Sequence, residues 1–330
     1  MTVDYNLPNL QGATALSTDT HSNSQVDRIH ISTFSSQDFR RYYQNPGIPV
    51  IVGGLLNAEP QWDLDYLCQC LGNQVFPIRR YGQSRYQQDK RQWTSSGSGV
   101  EAHSMTFSEY ATCLRAGVAK QQDLYLARCS LKQTPLESGH SLYQAEAWFN
   151  LKFPATPLNL WVGVGGHTSC LHYDPMDGLL MQLHGAKKIL LFPPHQTYNL
   201  YPIPIYKQFR HGLKLRPVYS QVYPESPDLQ AFPRFSETQP HCLEGILHPG
   251  EILFLPCGWW HEVTSLGDGV VCSVNRFWNV LPLSRAFSQW NKWRAHLGSF
   301  LAAPHVISGV ISARLHPNAS NELKKLIQRL

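Results

Sequence analysis

Long runs of one residue kind are what this sequence lacks. No run of five or more Lys/Arg occurs, and the formal net charge is only +5, which argues against a nucleic-acid footprint. No uninterrupted stretch of 18 apolar residues occurs, so no membrane span is expected. The first residues form neither a basic n-region nor an apolar h-region, so no secretory signal is expected either. The eight cysteines, at 68, 70, 113, 129, 170, 242, 257 and 272, fall in no regular framework. Cys68 and Cys70 are too closely spaced for a zinc knuckle. Reduced thiols in a cytoplasmic protein are therefore expected. Charged residues make up only 15% of the chain and apolar ones 42%, enough for a core and too few charges for extended disorder. No internal repeat is present.

What is there begins with a polar leader, residues 1–26, rich in Ser, Thr, Asn and Gln. A mixed helix-and-strand portion follows. Ser35 to Tyr43 and Asp63 to Leu71 read as helices, the second capped by Asp63, and Pro49 to Gly54 and Val75 to Tyr81 read as strands. Residues 83–100 read as a Gly/Ser-rich loop, and Thr106 with Glu109 forms a capping-box pattern. From Leu124 short strands dominate: Leu158–Val164, Leu179–Leu183, Lys188–Phe192, Glu244–Leu247, Ile252–Leu255, Glu262–Thr264 and Val270–Phe277. Residues 195–240 interrupt them as a long Pro- and Tyr-rich insertion, placed to carry substrate contacts. From Pro282 the spacing is helical, with Phe287, Trp290, Trp293 and Leu297 on one stripe, and a last helix is expected from Ser320 to Leu330. The stripe suits either a second copy of the chain or packing back onto the strands. The boundaries that result are 1–26, 27–281 and 282–330. The fold expected is mainly β with flanking helices, a barrel or double-sheet jelly roll.

The chemistry lies in His172-Tyr173-Asp174, answered by His261 in Gly258-Trp259-Trp260-His261. Positions i and i+2 of a strand face one way, so His172 and Asp174 can share a face. His261 from a neighbouring strand would complete a 2-His-1-carboxylate triad. Such a triad leaves coordination positions open and suits non-haem Fe(II) that also binds a cosubstrate and O2. Iron oxygenases of this type usually consume 2-oxoglutarate, whose far carboxylate needs a buried cation. Lys187 is the candidate, because of the adjacent Lys187 and Lys188 only one can face inward.

Taken together, His172-Tyr173-Asp174-Pro175, Gln182-Leu183-His184-Gly185-Ala186-Lys187-Lys188, Leu191-Phe192-Pro193-Pro194, Pro249-Gly250-Glu251-Ile252-Leu253-Phe254-Leu255-Pro256, Trp259-Trp260-His261 and Ser273-Val274-Asn275-Arg276-Phe277-Trp278 resemble the JmjC-domain hydroxylases. Within these the chain resembles the cupin-type protein hydroxylases, of the factor-inhibiting HIF and arginyl-hydroxylase type. The resemblance spans about residues 28 to 285. It implies a cupin-like double-stranded β-helix binding Fe(II) through His172, Asp174 and His261. It implies that Lys187, Tyr125 and Ser169 hold the tail of 2-oxoglutarate, that Asn275 lies near the metal, and that the C-terminal helices dimerise. One departure stands out: Gly178 occupies a position where these hydroxylases often carry Asn, and Asp177 is a candidate to compensate. The implied reaction is hydroxylation of an unactivated C–H on a protein or peptide side chain. Hydroxylation of a small metabolite, methyl-lysine demethylation, a zinc-dependent cupin and a catalytically silent cupin binding module are the alternatives. Trp259, Trp260 and Tyr173 are either slot-lining or packing aromatics.

Overall fold

Alternation along short strands builds the centre of the protein. The computed structural model describes residues 24–97, 100–137, 140–315 and 318–319; most of the leader and the helix expected after Ser320 lie outside them. We label the central strands β1 (Asn159–Val164), β2 (Thr168–Tyr173), β3 (Asp177–His184), β4 (Lys187–Phe192), β5 (Leu243–Leu247), β6 (Ile252–Leu255), β7 (Trp260–Ser265) and β8 (Val270–Trp278). They divide into two facing antiparallel sheets, β5-β4-β7-β2 and β6-β3-β8-β1. This is the jelly-roll arrangement.

The N-terminal portion extends both sheets. Arg28–His30 and Val50–Gly53 continue the larger sheet beyond β6, while Leu124–Ser130, Val75–Arg80 and Ala102–Thr106 continue it beyond β1. Ser24–Gln25 pairs in parallel with β5 and Val26 is buried, so the last residues of the segment expected as leader belong to the fold. The expected caps are present. Asp63 accepts the Tyr66 amide at 2.9 Å, and Thr106 and Glu109 form a reciprocal capping box. Sequence periodicity misses several elements, among them the strand Ala102–Thr106 and the helix His140–Phe149. The expected loop 83–100 contains two short 3-10 turns whose Arg85 and Lys90 are buried.

Three cores result. The outer face of the larger sheet packs on the helices through residues such as Phe39, Trp62, Phe107 and Phe254. The outer face of the smaller sheet (Leu171, Tyr173, Leu190, Phe192, Trp260) packs on Leu200, Val222 and Phe235 of the insertion. Between the sheets, Ile189, Leu191, Leu253 and Leu255 fill one end of the barrel. Period-two alternation on β4 explains the split: Ile189 and Leu191 point inward, Leu190 and Phe192 outward. All eight cysteines are free thiols.

The C-terminal chain forms a long helix. The helix Trp290–Leu315 is long and apolar enough, by length and composition, to cross a membrane, although no uninterrupted apolar run exists. Its inward face is small or polar, with Arg294, Ala295, Gly298 and Ala302, and buried Arg294 donates to the Tyr173 hydroxyl at 3.3 Å. Its apolar stripe faces outward: Trp290, Trp293, Leu297 and Phe300 are exposed, Phe300 by 76%. The stripe therefore does not pack back onto the barrel.

Candidate metal centre and cavity

The three candidate metal ligands come together where β2 and β7 meet. His172 and His261 are direct cross-strand partners, with ring centroids 4.2 Å apart. Asp174 follows the last residue of β2, and its Oδ2 lies 3.5 Å from His261 Nε2. One donor atom from each of the three lies within 4.8 Å of the others, close enough to share one cation. Backbone carbonyls set both tautomers. His172 Nδ1–H donates to the Cys170 carbonyl at 2.8 Å and His261 Nδ1–H to that of Trp259 at 3.1 Å. Each ring then presents a neutral Nε2 to the site, as metal ligation requires. Burial, then the His172 ring, pushes His261 well below the usual imidazole range. Asp174 opens onto the cavity with 27% of its side chain exposed, yet withdrawal from bulk water raises its pKa despite the opposing pull of His172 and Arg128. A divalent cation would relieve both strains, so the donor set fits a bound metal.

Neighbouring residues hold this geometry. Alternation along β7 turns Glu262 away from the site, where its carboxylate accepts the Leu171 amide at 3.0 Å, and a register shift on β2 between His172 and Ser169 falls opposite it. Tyr219 of the insertion stacks on His172 (5.0 Å between centroids, 15° between planes). The insertion also bonds β2 directly, Tyr173 N–H to Val218 O at 3.1 Å and Ser220 N–H to Leu171 O at 2.9 Å.

One cavity of about 380 Å³ contains the triad together with Lys187, Tyr125, Ser169 and Asn275. Lys187 points inward and is 3% exposed. Lys188 points outward to Glu225 (3.4 Å) and Glu244 (3.7 Å), as strand alternation dictates. The Lys187 ammonium has the Tyr125 hydroxyl at 3.4 Å as its polar neighbour, and no carboxylate pairs with it among the described residues. Burial pushes its pKa down to about 8. A buried ammonium of this kind fits an anionic ligand. Tyr125 is held by stacking on His167 at 3.7 Å, and Gly163 makes room for its ring, since a Cβ there would lie 2.4 Å from Tyr125 Cδ2. Asn275 accepts the Trp161 indole N–H at 2.9 Å.

One reading of the sequence needs correction. Asp177 does not compensate for Gly178, because its carboxylate is buried against the Arg285 guanidinium (Nη1–Oδ1 2.8 Å) and accepts the Cys257 amide at 2.9 Å, outside the cavity. Gly178 instead accommodates Phe277, whose ring would sit 3.1 Å from any Cβ there. Trp260 is a packing residue, fully buried against Tyr173 at 4.7 Å with its N–H on Thr197. Trp259 donates to Gly47 O at 2.8 Å. Sequence reasoning missed the arginines in the cavity wall, Arg79, Arg128 and Arg216, and also the contribution of Ala295, His296 and Ser299 from the C-terminal helix.

With this geometry in place, comparison with known proteins is decisive: residues 36–283 match the family described as the cupin-like domain. The chain belongs to the cupin-like family. Among its relatives within curated proteins, lysine-specific demethylase 8 of Xenopus tropicalis is 30% identical over 264 residues, 78% of this chain and 54% of that protein. Lysine-specific demethylase 8 of Danio rerio is 30% identical over 272 residues, 77% of this chain and 58% of that protein. Human HSPB1-associated protein 1 is 37% identical over 144 residues, 42% of this chain and 28% of that protein. This cupin-like chain thus spans little more than half the length of the two demethylases.

Proposed function

We propose that this cupin-like protein is an Fe(II)- and 2-oxoglutarate-dependent oxygenase that hydroxylates an unactivated C–H on a protein or peptide side chain. The observation that carries the reading is the shared cavity: a His-Asp-His donor set in the same pocket as a buried ammonium with no carboxylate partner among the described residues. His172, Asp174 and His261 would hold the metal, which when bound supplies O2 activation coupled to oxidation of the keto acid. Lys187, with the Tyr125 and Ser169 hydroxyls, binds and orients the far carboxylate. The Cys170 and Trp259 carbonyls fix the imidazole tautomers. The apolar plug of Leu253, Leu255 and Val263 keeps water from the closed end. Tyr219 and the C-terminal helix wall the open side. The demethylase names of two relatives support oxidative chemistry on a protein, since hydroxylating an N-methyl carbon and hydroxylating a side-chain carbon need the same centre.

Succinate release with Fe(II), 2-oxoglutarate and O2, lost in Asp174→Ala, tests the chemistry. Mass spectrometry of cell-lysate peptides for the gain of one oxygen atom tests the substrate. A chain that neither releases succinate nor binds 2-oxoglutarate would be a binding module.

The outward stripe of Trp290, Trp293, Leu297 and Phe300 supports pairing with a second copy through the C-terminal helix. Light scattering on wild type and Phe300→Glu checks this. A dimer that becomes a monomer is the expected result.

A further inference from the structure

The wall of the cavity is unbalanced in charge. Arg79, Arg128, Arg216 and Lys187 all line it, and among the described residues Asp174 is the one acidic side chain that does. Lys187 lies toward the cosubstrate end with Tyr125, and Asp174 belongs to the triad. The arginines come from three separate elements. Arg79 sits on the strand Val75–Arg80, paired with Tyr125 across the sheet. Arg216 is on the insertion, three residues before the Tyr219 that stacks on His172. Arg128 sits where the strand Leu124–Ser130 slips register against β1, between Leu126 and Cys129, with φ +55°. Non-glycine residues seldom hold that backbone conformation, and bulges of this kind re-aim side chains beside active sites. Arg128 lies near Asp174 and Arg216: its guanidinium opposes the raising of the Asp174 pKa and, after burial, adds to the lowering of Arg216. Like charges gathered around one cavity repel one another unless an anion joins them.

Resting on the oxygenase reading above, we propose that Arg79, Arg128 and Arg216 form an anion-recognition site beside the metal centre, so that the hydroxylated substrate carries a carboxylate close to the reacting carbon. An acidic peptide segment matches this site, whereas a methylated lysine would bring a cation into a cationic wall. A guanidinium offers the paired donors that a carboxylate takes in parallel.

The test is substrate-stimulated succinate release by the full chain with Fe(II) and 2-oxoglutarate. The probes are a pool of Asp/Glu-flanked peptides, a pool of Lys/Arg-flanked peptides with trimethyl-lysine members, and a pool of free aliphatic monocarboxylic acids. The acidic peptides are expected to stimulate most, with a response that falls as salt rises. Replacing Arg128 and Arg216 by Glu is expected to raise KM for acidic peptides about 10- to 100-fold, the scale of lost charged hydrogen bonds, and to turn preference toward basic ones. Loss of fold or of cosubstrate binding would instead depress all pools together. Stimulation by the free acids without the acidic peptides keeps the anion and replaces the peptide. Equal response of acidic and basic pools, silence included, or preference for the trimethyl-lysine set, overturns the proposal. Failure of the oxygenase reading looks different: wild type then releases no succinate under any condition and binds no 2-oxoglutarate.

Discussion

The two ends of the cavity solve the problem of holding charge in different ways. At the deep end a lone ammonium, Lys187, stands on a central strand, flanked by apolar Ile189 and Leu191 on the same face. At the other end guanidinium groups arrive from a bulge and an insertion, with Arg128 exposed and Arg216 partly buried, while Arg79 stands on the extension strand beside Tyr125. The deep site is buried, so its charge is costly to hold. The other is more exposed, and its charges are screened more by salt. That contrast fits a fixed small ligand at the deep end and a variable, larger one at the mouth. The triad lies in the same cavity and serves both.

The most damaging way to break the comparison is to remove what both ends share. His172→Ala, Asp174→Ala or His261→Ala should abolish metal-dependent turnover and Fe(II) uptake, measured by succinate assay and calorimetry, while the fold persists by circular dichroism. Lys187→Met keeps the length of the side chain and removes its charge. KM for 2-oxoglutarate should rise on the order of a hundredfold or more, because a buried ion pair loses one partner. The ligand-free protein should nevertheless become more stable, by about 1–4 kcal/mol, since an unpaired buried charge is gone. A matching pH effect follows. Burial depresses the Lys187 pKa to about 8 against the usual 10.5, so the unfolded chain holds the proton more tightly. The resulting penalty, about 3 kcal/mol, is fully present below pH 8 and fades as pH rises toward 10.5. Denaturant melts of ligand-free wild type should show this gain, and Lys187→Met should not. Affinity for 2-oxoglutarate should run the other way and fall above pH 8.

Arg285→Ala supplies the contrast of a charge with a structural task. It strands the buried Asp177 carboxylate and should cost about 3–5 kcal/mol in denaturant melts. The smallest effect should come from Tyr125→Phe, which removes one hydroxyl near Lys187. A few-fold rise in KM for 2-oxoglutarate, on the scale of a single hydrogen bond of about 1 kcal/mol, is expected.

The same contrast explains what the sequence could disclose. His172, Asp174 and His261 are legible because a short motif at strand ends fixes their faces. Lys187 is legible because strict alternation on β4 sends it inward and Lys188 outward. No such rule reaches the mouth. The face of Arg128 depends on a register slip and a positive φ, and that of Arg216 on an insertion without periodicity. Asp177 was misjudged for a related reason. Its partner Arg285 is 108 residues away, and local patterning says nothing about that pairing. The exposed stripe on the C-terminal helix was visible as a stripe, but which way it faced was decided by the buried Arg294 and the small residues opposite.

The most direct test is anaerobic optical titration of the full chain with Fe(II) and then 2-oxoglutarate, following the visible charge-transfer band of a keto acid chelated to ferrous iron. The band should appear in wild type, require much higher 2-oxoglutarate in Lys187→Met, and be absent in Asp174→Ala. A wild-type protein that shows no band at saturating ligand, or one whose band is indifferent to both substitutions, would contradict the assignment of His172, Asp174, His261 and Lys187 to one site.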